Sequence, residues 1–369
     1  MLNIIKPLIK FYFFLSIISC GENNNKSQNI NRSFLPKAAG ENSEMLIVMD
    51  SAAFQRGVGR SLVKTYGSFV SGLPQPERKF DLRYIKPRNF NSILKNAKNI
   101  VIAFTLDRKS TDSDILKKNF NAESLLRIEN DTSLFYYTRR NQYANGQVIL
   151  YLFGNNENQL ISKINKNQNF LLKFFEDEVK KRVSKDIFKR LENNLSKKIF
   201  EDHSIKIKIP YGYDLAKNIK DSHGNFFWLR QLELDYEKNI FVYYEDYEKN
   251  KLANFYKIFN DKNKSIVQLR NIISKTYLSD SENKNVYMTL QDVYPIQYQN
   301  IVFKDNIGVE AFGLWKLSDI SAGGPFKTFV LYDKNKKRAY YIEGYVFAPS
   351  QKKRDLMLEI NSILNTFEI

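Results

Sequence analysis

The chain has 369 residues, 43% of them hydrophobic and 14% aromatic, with a formal charge of +17 and a single cysteine. That is apolar material for one large core or two ordinary ones, and one cysteine excludes an internal disulfide framework. The basic excess points to an anionic partner, although Lys, Asn, Ile, Phe and Tyr are abundant together, as an AT-rich genome also produces.

Lys6 and Lys10 precede an apolar run over residues 11–18. A spanning helix needs about 20 apolar residues, so this run reads as a secretory signal. Its removal takes two lysines and lowers the formal charge from +17 to +15. The break Ile17-Ile18-Ser19-Cys20 resembles the lipobox of bacterial lipoproteins. That resemblance implies cleavage before Cys20, a diacylglycerol on its thiol and an acylated amine. One acyl chain binds a bilayer marginally and two or three hold firmly, at about 0.8 kcal/mol per buried methylene. The expected location is the cell envelope, anchored to the outer membrane and facing the periplasm. Glu22, the only acidic residue just after Cys20, shows weakly the tract associated with surface export. Export, and the lack of any nucleic-acid motif, disfavour nucleic acid as the anionic partner.

Residues 1–19 are thus the signal and 20–42, polar and without periodicity, a flexible tether. An N-terminal α/β domain is expected over 43–200. Continuous apolar runs at 44–50 and 99–104 predict buried strands, with further strands at 80–85, 134–139 and 147–153. Helical spacing is predicted over 52–66 and 89–96. A stripe from Leu171 to Ile199 predicts a long helical region, 156–200, closing this domain. A C-terminal α+β domain is expected over 201–369. Ile205, Ile207 and Ile209 alternate with lysines, predicting a half-buried strand. An antiparallel pair is expected at "FFWLRQLEL" and "NIFVYYEDY". Then come a helix over 251–278, strands at 297–303, 308–317, 326–333 and 338–347, and a helix over 350–367. The fold class is α/β (α+β), with two sandwich-type segments.

The blocks "ENSEMLIVMD", "GVGRSLVKTY", "GLPQPERKFDLRYI", "NFFWLRQ", "FGLW", "GGPF" and "GYVFAPSQKKRDLM" resemble, in order, a Bacteroidota lipoprotein family known as domain of unknown function 4837. The family pattern has a basic residue before Gly-Leu-Trp and a methionine before Gly-Gly-Pro-Phe, where this chain has Phe312 and Ala322. The resemblance implies a location and an extent, not a chemistry. The second segment also resembles the PsbP-like antiparallel sheet flanked by helices, whose members mostly bind or assemble.

Chemistry has few candidates. His203 and His223 are the only histidines, without a Gly-x-Ser-x-Gly stretch or zinc-ligand spacing. No cofactor or metal is expected. Asp50, Gly57, Gly59, Arg60 and Ser61 match no phosphate-loop spacing and read as a capping or packing turn. Leu73, Pro74, Gln75 and Pro76 form a stiff loop, either a connector or a presented surface. Glu310, Trp315, Asp319, Gly323, Gly324, Pro325 and Phe326 are expected around an apolar pocket, with the two glycines in a loop and the acids at its rim. The leading reading is a non-catalytic binding or assembly module, held to the membrane by its lipid and meeting an envelope protein or anionic glycolipid. The alternative is an envelope hydrolase using carboxylates near Gly-Gly-Pro-Phe.

Overall fold

The computed structural model of the chain describes residues 34–221, 224–246, 262–279, 285–291 and 294–369. Cys20, residues 20–33 of the predicted tether, His223 and 251–261 of a predicted helix lie outside them.

Sheet A contains β1 (Glu44–Met49), β2 (Asp81–Ile85), β3 (Asn99–Thr105), β4 (Tyr136–Arg140) and β5 (Val148–Gly154), in the order β2-β1-β3-β5-β4. All are parallel except β4, an antiparallel edge strand. Every residue of β3 and β5 is buried, because helices cover both faces and remove the need for alternation. On one face lie α1 (Ser51–Gln55), α2 (Gly57–Tyr66), α5 (Glu157–Lys166) and α6 (Gln168–Ile187), burying Leu62, Leu160, Leu171 and Phe175. On the other, α3 (Thr111–Lys117) and α4 (Ala122–Asn130) bury Leu116 and Ile128.

Several predicted helices are interrupted. The one over 52–66 breaks at Arg56 (φ −98°, ψ −147°), where the backbone of Gly59 comes so close to the Phe54 carbonyl that no side chain fits. In place of a helix over 89–96 there are two 3-10 turns, Pro87–Asn89 and Leu94–Asn96. The Asn91 carboxamide accepts from the N–H groups of Ile93 and Leu94, both at 3.1 Å, and so starts a new turn instead of continuing the old one. The long region over 156–200 is three helices. Asn167 ends α5 by donating its side-chain amide to the Lys163 carbonyl at 2.8 Å. After α6, Leu191 bridges to Pro210 before α7 (Asn193–His203) starts.

Sheet B contains β6 (Asp214–Asp221), β7 (Gly224–Leu232), β8 (Glu237–Asp246), β9 (Met288–Leu290), β10 (Gln297–Phe303), β11 (Asn306–Leu317), β12 (Gly323–Asp333) and β13 (Arg338–Phe347). It is antiparallel, in the order β10-β11-β12-β13-β8-β7-β6, with β9 on the far end of β11. One face packs on α8 (Lys262–Tyr277) through Leu269, Ile273 and Tyr277. The other packs on α7 and α9 (Arg354–Leu364) through Ile199, Ile360 and Leu364. Ile205, Ile207 and Ile209 are buried there as their alternation predicts. They form no strand, because their backbone is paired only at isolated points among the described residues: Lys206 bridges to Glu368, the Ile209 carbonyl accepts from Glu192 N–H at 2.9 Å, and Lys208 N–H donates to the Thr366 hydroxyl.

Both sheets belong to one unit, Pro36–Ile369. α9 packs on α6 from sheet A and on β13 from sheet B. Its first turn is capped from the other half of the chain. Buried Glu77 accepts from the N–H of Lys353 at 2.7 Å and of Arg354 at 3.0 Å, satisfying two donors that a helix start leaves orphaned. The Arg354 guanidinium in turn donates to the Arg78 carbonyl and to Ser43 Oγ.

Candidate functional site

Between α2 and β2 the chain leaves sheet A as a narrow excursion, closed by Val70 N–H to Glu77 O and Lys79 N–H to Ser68 O, both 2.8 Å. Its tip reaches sheet B. Gly72 has φ +79°, and a Cβ there would come within 2.7 Å of the Phe312 ring on β11. Only glycine satisfies both constraints.

This contact roofs a cleft of about 550 Å³ between the two halves. Val70, Leu73 and Phe80 line it from the loop, Phe312, Pro325 and Phe326 from sheet B, and Met357 and Leu358 from α9. Charges around it are largely paired: Lys79 with Glu176 at 2.9 Å, Lys327 with Glu310, and Arg354 with Asp355 at 3.1 Å. An apolar floor within a rim where, among the described residues, Lys180 alone carries no ion pair suits an uncharged, apolar group, whose burial contributes about 25 cal/mol per Å².

The two predicted groups therefore meet, but only in part. Leu73, Pro325 and Phe326 line the cleft, whereas Pro74, Gln75, Pro76, Glu310, Trp315, Asp319, Gly323 and Gly324 do not. The loop expected at Gly323 and Gly324 is the start of β12, in register with Lys316 and Trp315 of β11. Proline inside a sheet is uncommon because it lacks a ladder donor, and the local geometry explains its presence. The Leu314 carbonyl accepts from Gln291 N–H at 2.9 Å on the side away from β12. Leu314 and its register partner Pro325 are therefore not a hydrogen-bonded pair, and the proline nitrogen faces β13. The β12–β13 register carries it opposite Val346. The Trp315 indole Nε1–H donates to that Val346 carbonyl instead, at 3.2 Å. Trp315 is 3% exposed and edge-on to Tyr345: it is a core residue.

Behind Phe326 lies an ion pair that sequence reasoning missed. Arg270 and Glu343 both have 0% side-chain exposure, with Arg270 Nη2 donating to Glu343 Oε1 at 2.7 Å and Nε to Oε2 at 2.9 Å. Tyr341 Oη donates to Oε2 at 2.7 Å, and the guanidinium carbon lies 4.8 Å from the centre of the Phe326 ring. Burial works to lower the Arg270 pKa, but the charge and hydrogen bonds of Glu343 outweigh it and raise the value. The only sequence trace was a Glu amid the apolar residues of β13.

The carboxylates near Gly-Gly-Pro-Phe are engaged and far apart. Glu310 pairs with Lys327 and accepts from Gln299. Asp319 closes an exposed turn, accepting from Ser321 N–H at 3.1 Å and its hydroxyl at 2.7 Å; hydrogen bonds from Ser321 lower its pKa. Glu310 and Leu317 lie on one strand, so the rise of about 3.3 Å per residue puts them roughly 23 Å apart. Glycosidase carboxyl pairs lie within about 10 Å. His203 is 3% exposed and held by Tyr244 Oη at 3.2 Å and Asn218 Oδ1 at 2.6 Å. Burial lowers its pKa, against the opposing pull of the Asn218 hydrogen bond. Among the described residues no cluster of three or more His, Cys, Asp or Glu is placed to hold a metal ion, and no helix is long and apolar enough to cross a membrane.

Residues 192–366 match the family model described as Domain of unknown function (DUF4837), and residues 38–188 match a second, Domain of unknown function (DUF8532). The likeness to DUF4837, read across nearly the whole mature chain, is thus assigned to its second half, and the first half matches a model of its own. No curated protein matches the chain. Among solved structures it is similar to the Saccharomyces cerevisiae Ran-binding protein Mog1p, with 8% identity over 45% of this chain and 89% of that one and a TM-score of 0.27. A point variant of Mog1 gives 8% identity, 45% and 90% coverage, and a TM-score of 0.26. A likeness of that size bears on neither fold nor function.

Proposed function

We propose that this chain, whose carboxy-terminal half is a DUF4837 domain, is a lipoprotein of the Bacteroidota kind. It is anchored through Cys20 to the outer membrane, faces the periplasm, and acts as a non-catalytic binding or assembly module. The observation that carries the binding role is the cleft of about 550 Å³, where the Leu73 loop closes over Phe312, Pro325 and Phe326. Its apolar floor and largely paired rim favour an uncharged apolar segment of another envelope protein over an anionic glycolipid, which would need a cluster of free cations where the cleft has Lys180 alone. The hydrolase alternative loses support because Glu310 is ion-paired and Asp319 is held in a distant turn.

A photo-crosslinking residue in place of Leu73 should capture a discrete envelope protein in intact cells, and the same residue at exposed Leu234 should not. Equal capture from both positions, or none from Leu73, would remove the cleft as the binding site. The anchor has its own test. Cys20→Ala should shift the protein from the membrane to the soluble fraction, because it removes every acyl chain at once. Full membrane retention of that variant would rule the anchor out.

A further inference from the structure

Sheet A carries a second cavity, lined by none of the residues of the cleft. From β1 the chain winds outward to β2 and then returns past β1 to β3, so the winding reverses between β1 and β3. In open α/β sheets such a reversal leaves a crevice beyond the carboxyl ends of the two strands, where ligands bind. Here Met49 and Asp50 at the end of β1 and Phe104 and Thr105 at the end of β3 border a cavity of about 50 Å³.

Its polar groups carry both signs of charge. Asp50 is 8% exposed and saturated: Oδ1 accepts from Ala52 N–H, Ala53 N–H and Arg108 Nη2, and Oδ2 accepts from Ser110. Arg108 is held at 2.8 Å through that one amino group and keeps further donors. Glu157, half-buried at the start of α5, has no ion pair or side-chain hydrogen bond among the described residues. Ser113 is 1% exposed and also lines the cavity. Its N–H is capped by Ser110 Oγ at 3.1 Å, but its own hydroxyl has no partner among the described residues. A buried hydroxyl without a partner is costly in a folded protein, and a ligand in the cavity would satisfy it. The three carboxylates lining the cavity, Asp50, Asp107 and Glu157, outnumber the one guanidinium. In a chain with a formal charge of +17, this is a locally acidic crevice that favours an ammonium group, with one cation placed to hold a carboxylate.

We infer that the switch-point crevice of sheet A binds a small zwitterion, an α-amino acid of glycine to serine size, with its carboxylate on Arg108, its ammonium on Glu157 and a hydrogen bond to the Ser113 hydroxyl. The small volume of the cavity favours the smallest side chains. Titration calorimetry on the full chain with glycine, L-alanine and L-serine should show saturable binding. Ethanolamine, which lacks the carboxylate, and acetate, which lacks the ammonium, should each bind roughly tenfold more weakly or not at all, each losing a charge-assisted hydrogen bond. Glu157→Gln and Ser113→Ala keep side-chain shape and break no internal contact, so both should fold as the native chain does by circular dichroism while losing roughly tenfold in affinity. No binding of any of the three amino acids, or native affinity in both variants, would overturn the site. Ethanolamine binding as tightly as glycine would overturn the zwitterion.

Discussion

Glu343→Ala should destabilise the chain by about 3–5 kcal/mol, the cost of leaving a buried charge without its partner. Among the described residues Arg270 would keep only the Thr289 carbonyl at 3.2 Å and Met288 Sδ at 3.1 Å as hydrogen-bond partners, beside the face of Phe326. Chemical denaturation of the variant beside the native chain measures the loss. The informative control replaces both members, Arg270→Met with Glu343→Leu. Taking two charges out of water offsets much of their attraction, so this double variant should lie far closer to native stability than the single one. If Glu343→Ala were as stable as native, the pair would not be desolvated in solution, and the floor beneath Phe326 would be wet.

The second large effect is expected at Gly324. A Cβ there would overlap the Val346 carbonyl and sit 3.2 Å from the Trp315 indole nitrogen. Gly324→Ala must therefore push β13 or the indole aside, at a cost of about 1–3 kcal/mol for overpacking and about 1 kcal/mol for the lost indole hydrogen bond. Trp315→Phe removes the hydrogen bond and part of the ring without forcing strands apart, so it tests the donor separately. Thermal unfolding should rank native above Trp315→Phe, and Trp315→Phe above Gly324→Ala. The cleft wall would shift too, since Pro325 and Phe326 follow directly on the same strand. A Gly324→Ala protein with native melting would show that the strands do not approach as closely as Trp315 and Val346 require.

Strands were legible where burial dictates composition. "LIVM" and "NIVIAF" could only be covered on both faces, and β1 and β3 are. The antiparallel pair expected at "FFWLRQLEL" and "NIFVYYEDY" is β7 with β8, and the last four predicted strands are β10 to β13. Helix ends were not legible, because side-chain hydrogen bonds set them: Asn91 and Asn167 act within a turn and leave no periodic signal. α3 and α4 escaped notice because each buries only a few apolar residues. The Gly-Gly-Pro-Phe stretch was misread for a more specific reason. Its glycines and proline spell a turn locally; pairing with β11 makes them a strand, and the Trp315 indole from that strand takes up the Val346 carbonyl that the proline cannot. The meeting of Gly72 with Phe312 spans 240 positions, a long-range contact that no local pattern encodes.

The chain has two tryptophans, Trp228 and Trp315, and both indoles sit in sheet B, one donating to Asn239 at 3.0 Å and the other to the Val346 carbonyl. Intrinsic indole fluorescence is therefore blind to sheet A, while far-ultraviolet dichroism sees both layers. The two signals together form a built-in gauge of cooperativity. Coincident transitions mean that the capped start of α9 binds the halves into one melting unit, and separated transitions mean that each half melts alone.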